Sequence, residues 1–101
     1  MPHVIIQYFR GCPHWQLADQ RVRLAARGRD DVSIEQQLVE TAEQAQQLRF
    51  TGSPTILIDA VDPFAEVDQP IGLGCRLFRT PDGLAGCPTV EQLVEVLARW
   101  S

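Results

Sequence analysis

Three cysteines, Cys12, Cys75 and Cys87, are the side chains of this 101-residue chain best suited to covalent chemistry. Cys12 stands between Gly11 and Pro13, after an apolar run and before a predicted helix. A cysteine at such a junction lies near the free N–H groups and the positive end of the helix dipole, and both favour the thiolate. Because the thiolate is the nucleophilic form, we predict that Cys12 is a reactive thiol. The alternative is that Cys12 is a small buried residue of the core.

The hydrophobic pattern predicts the elements that must position these cysteines. It predicts strands over 4–9, 31–38, 55–59 and 75–79, and helices over 14–27, 41–48 and 90–100. The first strand is an almost continuous apolar run, which is typical of a strand buried on both faces of a sheet. Thr41 and Gln44 have the spacing of a capping box at the start of the second helix, and Thr89 can cap the third.

Two of the helices carry an apolar face, and two segments carry loop or turn signals. The apolar faces comprise Leu17, Ala18, Val22 and Ala25 in the first helix, and Val90, Leu93, Val94, Leu97 and Trp100 in the third. Asp, Pro and Gly are frequent over 60–74, which predicts a loop, and Thr-Pro-Asp-Gly over 80–83 predicts a turn.

The element order β-α-β-α-β-β-α predicts one α/β domain over residues 1–101. A right-handed crossover makes the first two strands parallel. We expect the last two strands to form an antiparallel pair. The result is a four-stranded mixed sheet flanked by helices on both faces.

This order, the Gly11-Cys12-Pro13 junction and the Gly-Ser-Pro-Thr segment before the third strand together resemble the thioredoxin–glutaredoxin family. The resemblance covers nearly the whole chain and implies a thioredoxin-like fold. It also implies that Pro54 is a cis-proline in a loop facing Cys12. The backbone of Ser53 would then pair with an extended substrate, so that Ser53 and Pro54 contact substrate. The alternative for Pro54 is an ordinary proline that introduces a strand.

The motif Cys12-Pro13-His14-Trp15 departs from the family, whose members usually carry a second cysteine or a serine three residues after the first. A dithiol within the motif is therefore impossible. Trp15 either forms a platform that screens the sulfur and contacts substrate, or simply packs against the protein. His14 either tunes the Cys12 thiolate or is a polar residue at the start of a helix.

A second thiol can come from elsewhere in the chain. Cys87 precedes the last helix, where the resemblance implies a glycine-containing loop that lines the thiol site. Cys75 begins the predicted fourth strand, and antiparallel pairing would put it at the end of the sheet away from Cys12. Cys87 is therefore the favoured partner, although either cysteine can equally be a core residue.

Composition limits the classes of partner. The net charge of -4 and the absence of a basic run exclude a general nucleic-acid footprint and an anionic membrane surface. The apolar run at the N-terminus is too short for a signal peptide, and no stretch approaches the length of a membrane span, so we expect a cytoplasmic protein. No second Cys or His cluster has the spacing of a zinc site, and we predict neither a metal nor a cofactor.

The leading hypothesis is a thiol–disulfide redox protein whose Cys12 exchanges with a protein or a low-molecular-weight thiol or disulfide. One alternative is the handling of soft metals or organomercurials by Cys12 and Cys75, since thiolates select soft metals. Another is a non-catalytic thioredoxin-fold interaction module, which predicts that an alanine at Cys12 leaves the cellular function intact.

Overall fold

The computed structural model describes residues 2–66 and 69–99, and within them it is an α/β structure. The elements are β1 (His3–Tyr8), α1 (Trp15–Ala25), β2 (Ser33–Leu38), α2 (Ala42–Leu48), β3 (Thr55–Ile58), β4 (Phe78–Thr80), β5 (Gly83–Ala85) and α3 (Val90–Ala98). None of these helices has the length and apolar character needed to cross a membrane.

Strand β1 is the central strand of a three-stranded mixed sheet with the order β2-β1-β3. It runs parallel to β2, with Val4 opposite Ile34, and antiparallel to β3, with Val4 opposite Ile58. The parallel pairing of the first two strands is confirmed. The predicted burial of β1 on both faces holds in part, because Val4 and Ile6 are buried whereas His3 and Ile5 on the opposite face are partly exposed. Cys12 therefore lies just beyond the carboxyl end of the central strand of the sheet.

The predicted four-stranded sheet is wrong for the described residues. Strand β4 pairs with β5 in a separate two-stranded sheet and not with β3, and the predicted turn at Pro81 connects the two strands. Strand β4 also begins at Phe78 rather than at Cys75. The backbone on either side of Cys75 is instead hydrogen-bonded to Ser53, which draws this segment away from the predicted strand pairing.

Helices α1 and α3 pack on each other and share one hydrophobic cluster with the sheet. The fully buried members of this cluster are Val4, Ile6, Ala18, Val22, Ile56, Ile58, Leu93 and Leu97. The apolar faces predicted for both helices are confirmed in part, because Leu17 and Val94 are exposed. The predicted helix residue Trp100 lies outside the described residues.

Helix α2 belongs to a second, smaller cluster. Its N-terminus has the predicted capping box, in which the Thr41 hydroxyl accepts from the Gln44 backbone N–H and the Gln44 side chain accepts from Thr41. Its buried Ala45 packs with Val39 and Phe50, where Val39 directly follows β2. Two of the helices thus share the main core, and α2 packs near the carboxyl end of β2.

Candidate functional site

Cys12 lies in a turn between β1 and α1. Its backbone N–H donates to the Phe9 carbonyl oxygen at 3.2 Å, and α1 begins at Trp15 with His14 as the N-cap residue. The residue is 2% exposed, and its Sγ donates to the carbonyl oxygen of Ser53 at 3.3 Å. The Cys12 sulfur is therefore hydrogen-bonded to the loop that precedes β3.

The backbone of Ser53 is hydrogen-bonded to both of the segments that carry Cys12 and Cys75. The Ser53–Pro54 peptide bond is cis, and both residues are buried. The Ser53 N–H donates to the Gly74 carbonyl oxygen at 2.7 Å, and the Ser53 carbonyl oxygen accepts from the Arg76 N–H at 2.9 Å. These two bonds form a parallel bridge between Ser53 and Cys75. The backbone groups that the resemblance assigns to an extended substrate are thus occupied by the chain itself.

Cys75 lies beside Cys12 because both segments are bonded to Ser53: Cys12 through its Sγ, and Cys75 through its two neighbours in the chain. A hydrogen bond to Cys12, followed by partial burial and the negative charge of a Cys12 thiolate, raises the pKa of Cys75 above its usual value. The expectation that Cys75 lies at the far end of the sheet is wrong, because Ser53 holds its neighbours beside Cys12. Cys75 is exposed whereas Cys12 is buried, and both are free thiols.

Gly52 permits the close approach of this segment. It has φ +115°, and a Cβ there would lie 3.0 Å from the Arg76 Cβ and 3.2 Å from the Gly74 carbonyl oxygen. The backbone of residues 74–76 can therefore lie against the loop only where a glycine stands. The sequence contains this glycine, but its partner segment follows from tertiary structure alone.

Arg76 anchors the same segment from its other side. Its buried guanidinium forms an ion pair with Asp62 at 2.7 Å and donates to the Phe64 carbonyl oxygen at 2.6 Å. Its Cζ also lies 4.6 Å from the centroid of the Phe78 ring. The sequence did not single out Arg76, which stood only as one position of the predicted strand over 75–79.

Cys87, the partner favoured from the sequence, is a core residue. It is 2% exposed and belongs to the main hydrophobic cluster with Leu93. Burial raises the pKa of Cys87, the charge of Arg21 lowers it, and the charge of Cys12 raises it further. Both Cys75 and Cys87 therefore lie near enough to Cys12 for its charge to raise their pKa.

His14 and Trp15 make packing contacts at the start of α1. The Trp15 ring stacks on Tyr8, with centroids 4.1 Å apart and an interplanar angle of 20°. The His14 ring lies so close to Gly86 that a Cβ at that position would be 2.5 Å from the ring. The loop that carries Cys87 thus packs on the start of α1. A substrate role for either side chain stays a prediction.

A cleft of about 250 Å³ opens beside Cys75. It is lined by Thr51, Gly52 and residues 70–75, and we call it the Cys75 cleft. Ile71 and Leu73 are exposed members of its wall, and the Gly72 N–H anchors that wall by donating to the Phe50 carbonyl oxygen at 3.0 Å. Residues 70–74 fall in the segment for which the sequence predicted only a loop.

Within residues 2–66 and 69–99, no group of three or more His, Cys, Asp or Glu side chains is arranged to hold a metal ion. No family model, curated protein or solved structure matches this chain. The fold and the site define an α/β protein in which a buried thiol and an exposed thiol both lie against the backbone of one serine. Such a pair can exchange two electrons by forming and breaking one disulfide.

Proposed function

We propose that this chain is a thiol–disulfide redox protein of thioredoxin-like architecture that works through the Cys12 and Cys75 pair. The placement of both cysteines against Ser53 is the observation that carries the proposal: the Cys12 Sγ donates to the Ser53 carbonyl oxygen, and Cys75 forms a parallel bridge with Ser53. The thioredoxin-like assignment is supported by the order of elements from β1 to β3 and by the Ser53 loop against Cys12.

The proposed reaction transfers two electrons from the reduced pair to a disulfide, RS–SR. One protein thiolate attacks a sulfur of RS–SR, which breaks the S–S bond and releases RS⁻ while a mixed disulfide forms on the protein. The second protein thiolate attacks the protein sulfur of that mixed disulfide and releases the second RS⁻. The two thiol protons pass to the released thiolates, and the protein is left with a Cys12–Cys75 disulfide.

Cys75 replaces Cys87 as the second thiol in this proposal. A disulfide requires Cα atoms within about 7 Å and side chains that point toward each other. The Ser53 carbonyl oxygen accepts from both the Cys12 Sγ and the Arg76 N–H, which supports a position of Cys75 next to Cys12. Cys87 packs in the main core with Leu93, so that withdrawing its side chain would cost buried apolar contact.

The test is the stoichiometry of exchange. The reduced chain is mixed with an equimolar amount of bis(2-hydroxyethyl) disulfide, and released 2-mercaptoethanol and the mass of the intact chain are measured. We expect two thiols released and a chain that has lost two hydrogens. Cys75→Ser should release at most one thiol and retain the mixed adduct, whereas the matched control Cys87→Ser should behave as the wild type. A wild-type chain that keeps the adduct contradicts the proposal.

A second candidate function is the binding of a soft cation such as Hg²⁺, and the same thiol pair favours it. Two adjacent thiolates form a ligand set that selects soft metals. Titration with Hg²⁺ in the presence of a competing thiol should then give one tight equivalent that both Cys12→Ser and Cys75→Ser abolish. Loss of that equivalent in Cys87→Ser instead would contradict a site at Cys12 and Cys75.

A further inference from the structure

We propose that the Cys75 cleft admits a low-molecular-weight, uncharged thiol, which attacks the Cys75 sulfur of the oxidised pair and not the Cys12 sulfur. This inference rests on the proposed function and adds the class of reductant and the order of attack.

The two sulfurs differ in their access from solvent. Cys12 is 2% exposed, and its Sγ is directed at the Ser53 carbonyl oxygen. Cys75 is exposed and lines the Cys75 cleft. An external sulfur that enters this cleft therefore meets Cys75 first.

The size and surroundings of the cleft favour a small molecule over a protein chain. Its volume of about 250 Å³ is below the 300–1,000 Å³ that is usual for drug-sized ligands. An extended protein segment would need free backbone groups to pair with, yet the Ser53 N–H and carbonyl oxygen are already bonded to Gly74 and Arg76. A small thiol needs neither group.

The lining of the cleft favours an uncharged substituent on that thiol. Every residue that lines it is uncharged, and the side chains of Ile71 and Leu73 are 37% and 42% exposed. Burying part of these two side chains under an apolar substituent contributes favourably to binding. An anionic thiol would gain no such contact for its charged group.

The attack balances as two exchange steps. The thiolate RS⁻ attacks the Cys75 Sγ, a bond forms between them, and the Cys12–Cys75 bond breaks with its electron pair leaving on Cys12. A second RS⁻ attacks the R sulfur of the mixed disulfide, which releases Cys75 as a thiolate and forms RS–SR. The protein gains two electrons, two molecules of thiol are oxidised, and each protein thiolate takes up a proton.

The first test locates the mixed disulfide. The full-length chain is oxidised to its Cys12–Cys75 disulfide, treated briefly with 2-mercaptoethanol, quenched with acid and mapped by peptide mass spectrometry. We expect the 2-mercaptoethanol adduct on Cys75. An adduct on Cys12 overturns the inference.

The second test closes the cleft. Leu73→Trp adds bulk at the cleft wall, and Leu84→Trp is the matched control because Leu84 is 64% exposed on β5 and does not line the cleft. We expect Leu73→Trp to slow reduction of the disulfide by 2-mercaptoethanol about tenfold and Leu84→Trp to leave it unchanged. Equal rates in the two variants overturn the inference.

The third test compares reductants. The wild-type disulfide should react faster with 2-mercaptoethanol than with mercaptoacetate once both rates are corrected to the thiolate concentration. Faster reduction by mercaptoacetate, or by a small protein dithiol at the same thiolate concentration, overturns the choice of reductant. If no Cys12–Cys75 disulfide forms on oxidation, the proposed function and this inference both fail. If it forms and the adduct is on Cys12, only this inference fails.

Discussion

Cys12 and Cys75 are remote in the sequence, yet Cys75 forms a parallel bridge with Ser53, the residue that the Cys12 thiol contacts. The Cys12 Sγ in turn donates to the Ser53 carbonyl oxygen, which also accepts from the Arg76 N–H. One carbonyl therefore contacts both the first thiol and the segment that carries the second.

Removal of the Cys12 sulfur should lower the pKa of Cys75. Cys12→Ala removes the hydrogen bond and the negative charge that raise it, and leaves only burial. The pH dependence of Cys75 alkylation by iodoacetamide, followed by peptide mass spectrometry, measures this change. Cys87→Ala is the control and should leave the profile in place. An unchanged profile in Cys12→Ala would show that the two thiols do not interact.

The same shift predicts how stability depends on pH. Because the pKa of Cys75 is raised in the folded chain, folding favours the protonated thiol. The stability that this contributes is fully present below the ordinary thiol pKa and is lost as pH rises through the raised pKa. The loss of stability caused by Cys75→Ala should therefore be larger at neutral than at strongly alkaline pH. Urea unfolding of the wild type and of Cys75→Ala across this pH range measures the difference in their free energies of unfolding. A difference that grows as pH rises would contradict the predicted direction.

Gly52→Ala should displace the segment that carries Cys75. The substitution places a Cβ 3.0 Å from the Arg76 Cβ at φ +115°, and we expect a loss of about 2 kcal/mol in the free energy of unfolding. Disulfide formation between Cys12 and Cys75 should slow as well. The matched control is Gly72→Ala, since a Cβ there meets nothing within 4 Å. Equal behaviour of the two variants in urea unfolding and in oxidation rate would contradict this account of Gly52.

Asp62→Asn should destabilise the fold through Arg76. The guanidinium is buried, and loss of its partner charge leaves it uncompensated, which costs about 3 kcal/mol. Glu66→Gln is the control, because Glu66 pairs with the exposed Arg79 and such pairs contribute less than about 1 kcal/mol. Urea unfolding of both variants measures the difference. Similar losses in both would show that the Arg76 pair has no special role.

Ser53→Ala should leave both stability and disulfide formation close to the wild type. The Ser53 hydroxyl is buried without a hydrogen-bond partner among the described residues, so its removal leaves no other group unpaired. The backbone of Ser53, which alanine retains, makes the bonds to Gly74 and Arg76. We expect a change in the free energy of unfolding within about 1 kcal/mol. A large loss of exchange rate would instead give the hydroxyl a role in the reaction.

The regular elements with strong periodicity were predictable from the sequence. Strand β1 follows from a short, almost continuous apolar run, and α2 follows from the capping box of Thr41 and Gln44. The core positions Val22 and Leu93 follow from helical spacing. In each case the signal lies within about ten residues of sequence, where local physics decides the structure.

The partner of Cys12 was not predictable, because it depends on contacts between distant segments. The alternation of Cys75, Leu77 and Arg79 is typical of a strand, but backbone bonds to Ser53 and the buried Arg76 ion pair hold the chain differently there. Short alternating runs carry little energy of their own, so tertiary contacts override them. Cys87 was the predicted partner of Cys12 because it precedes a helix, but its side chain packs in the core with Leu93.

Disulfide mapping of the oxidised chain tests the central claim most directly. The chain is oxidised with diamide at low protein concentration, its free thiols are alkylated, and the linked peptides are identified by mass spectrometry. We predict a single intramolecular link between Cys12 and Cys75, with Cys87 alkylated as a free thiol after denaturation. A link between Cys12 and Cys87, or a chain whose three thiols all remain free, would contradict the account.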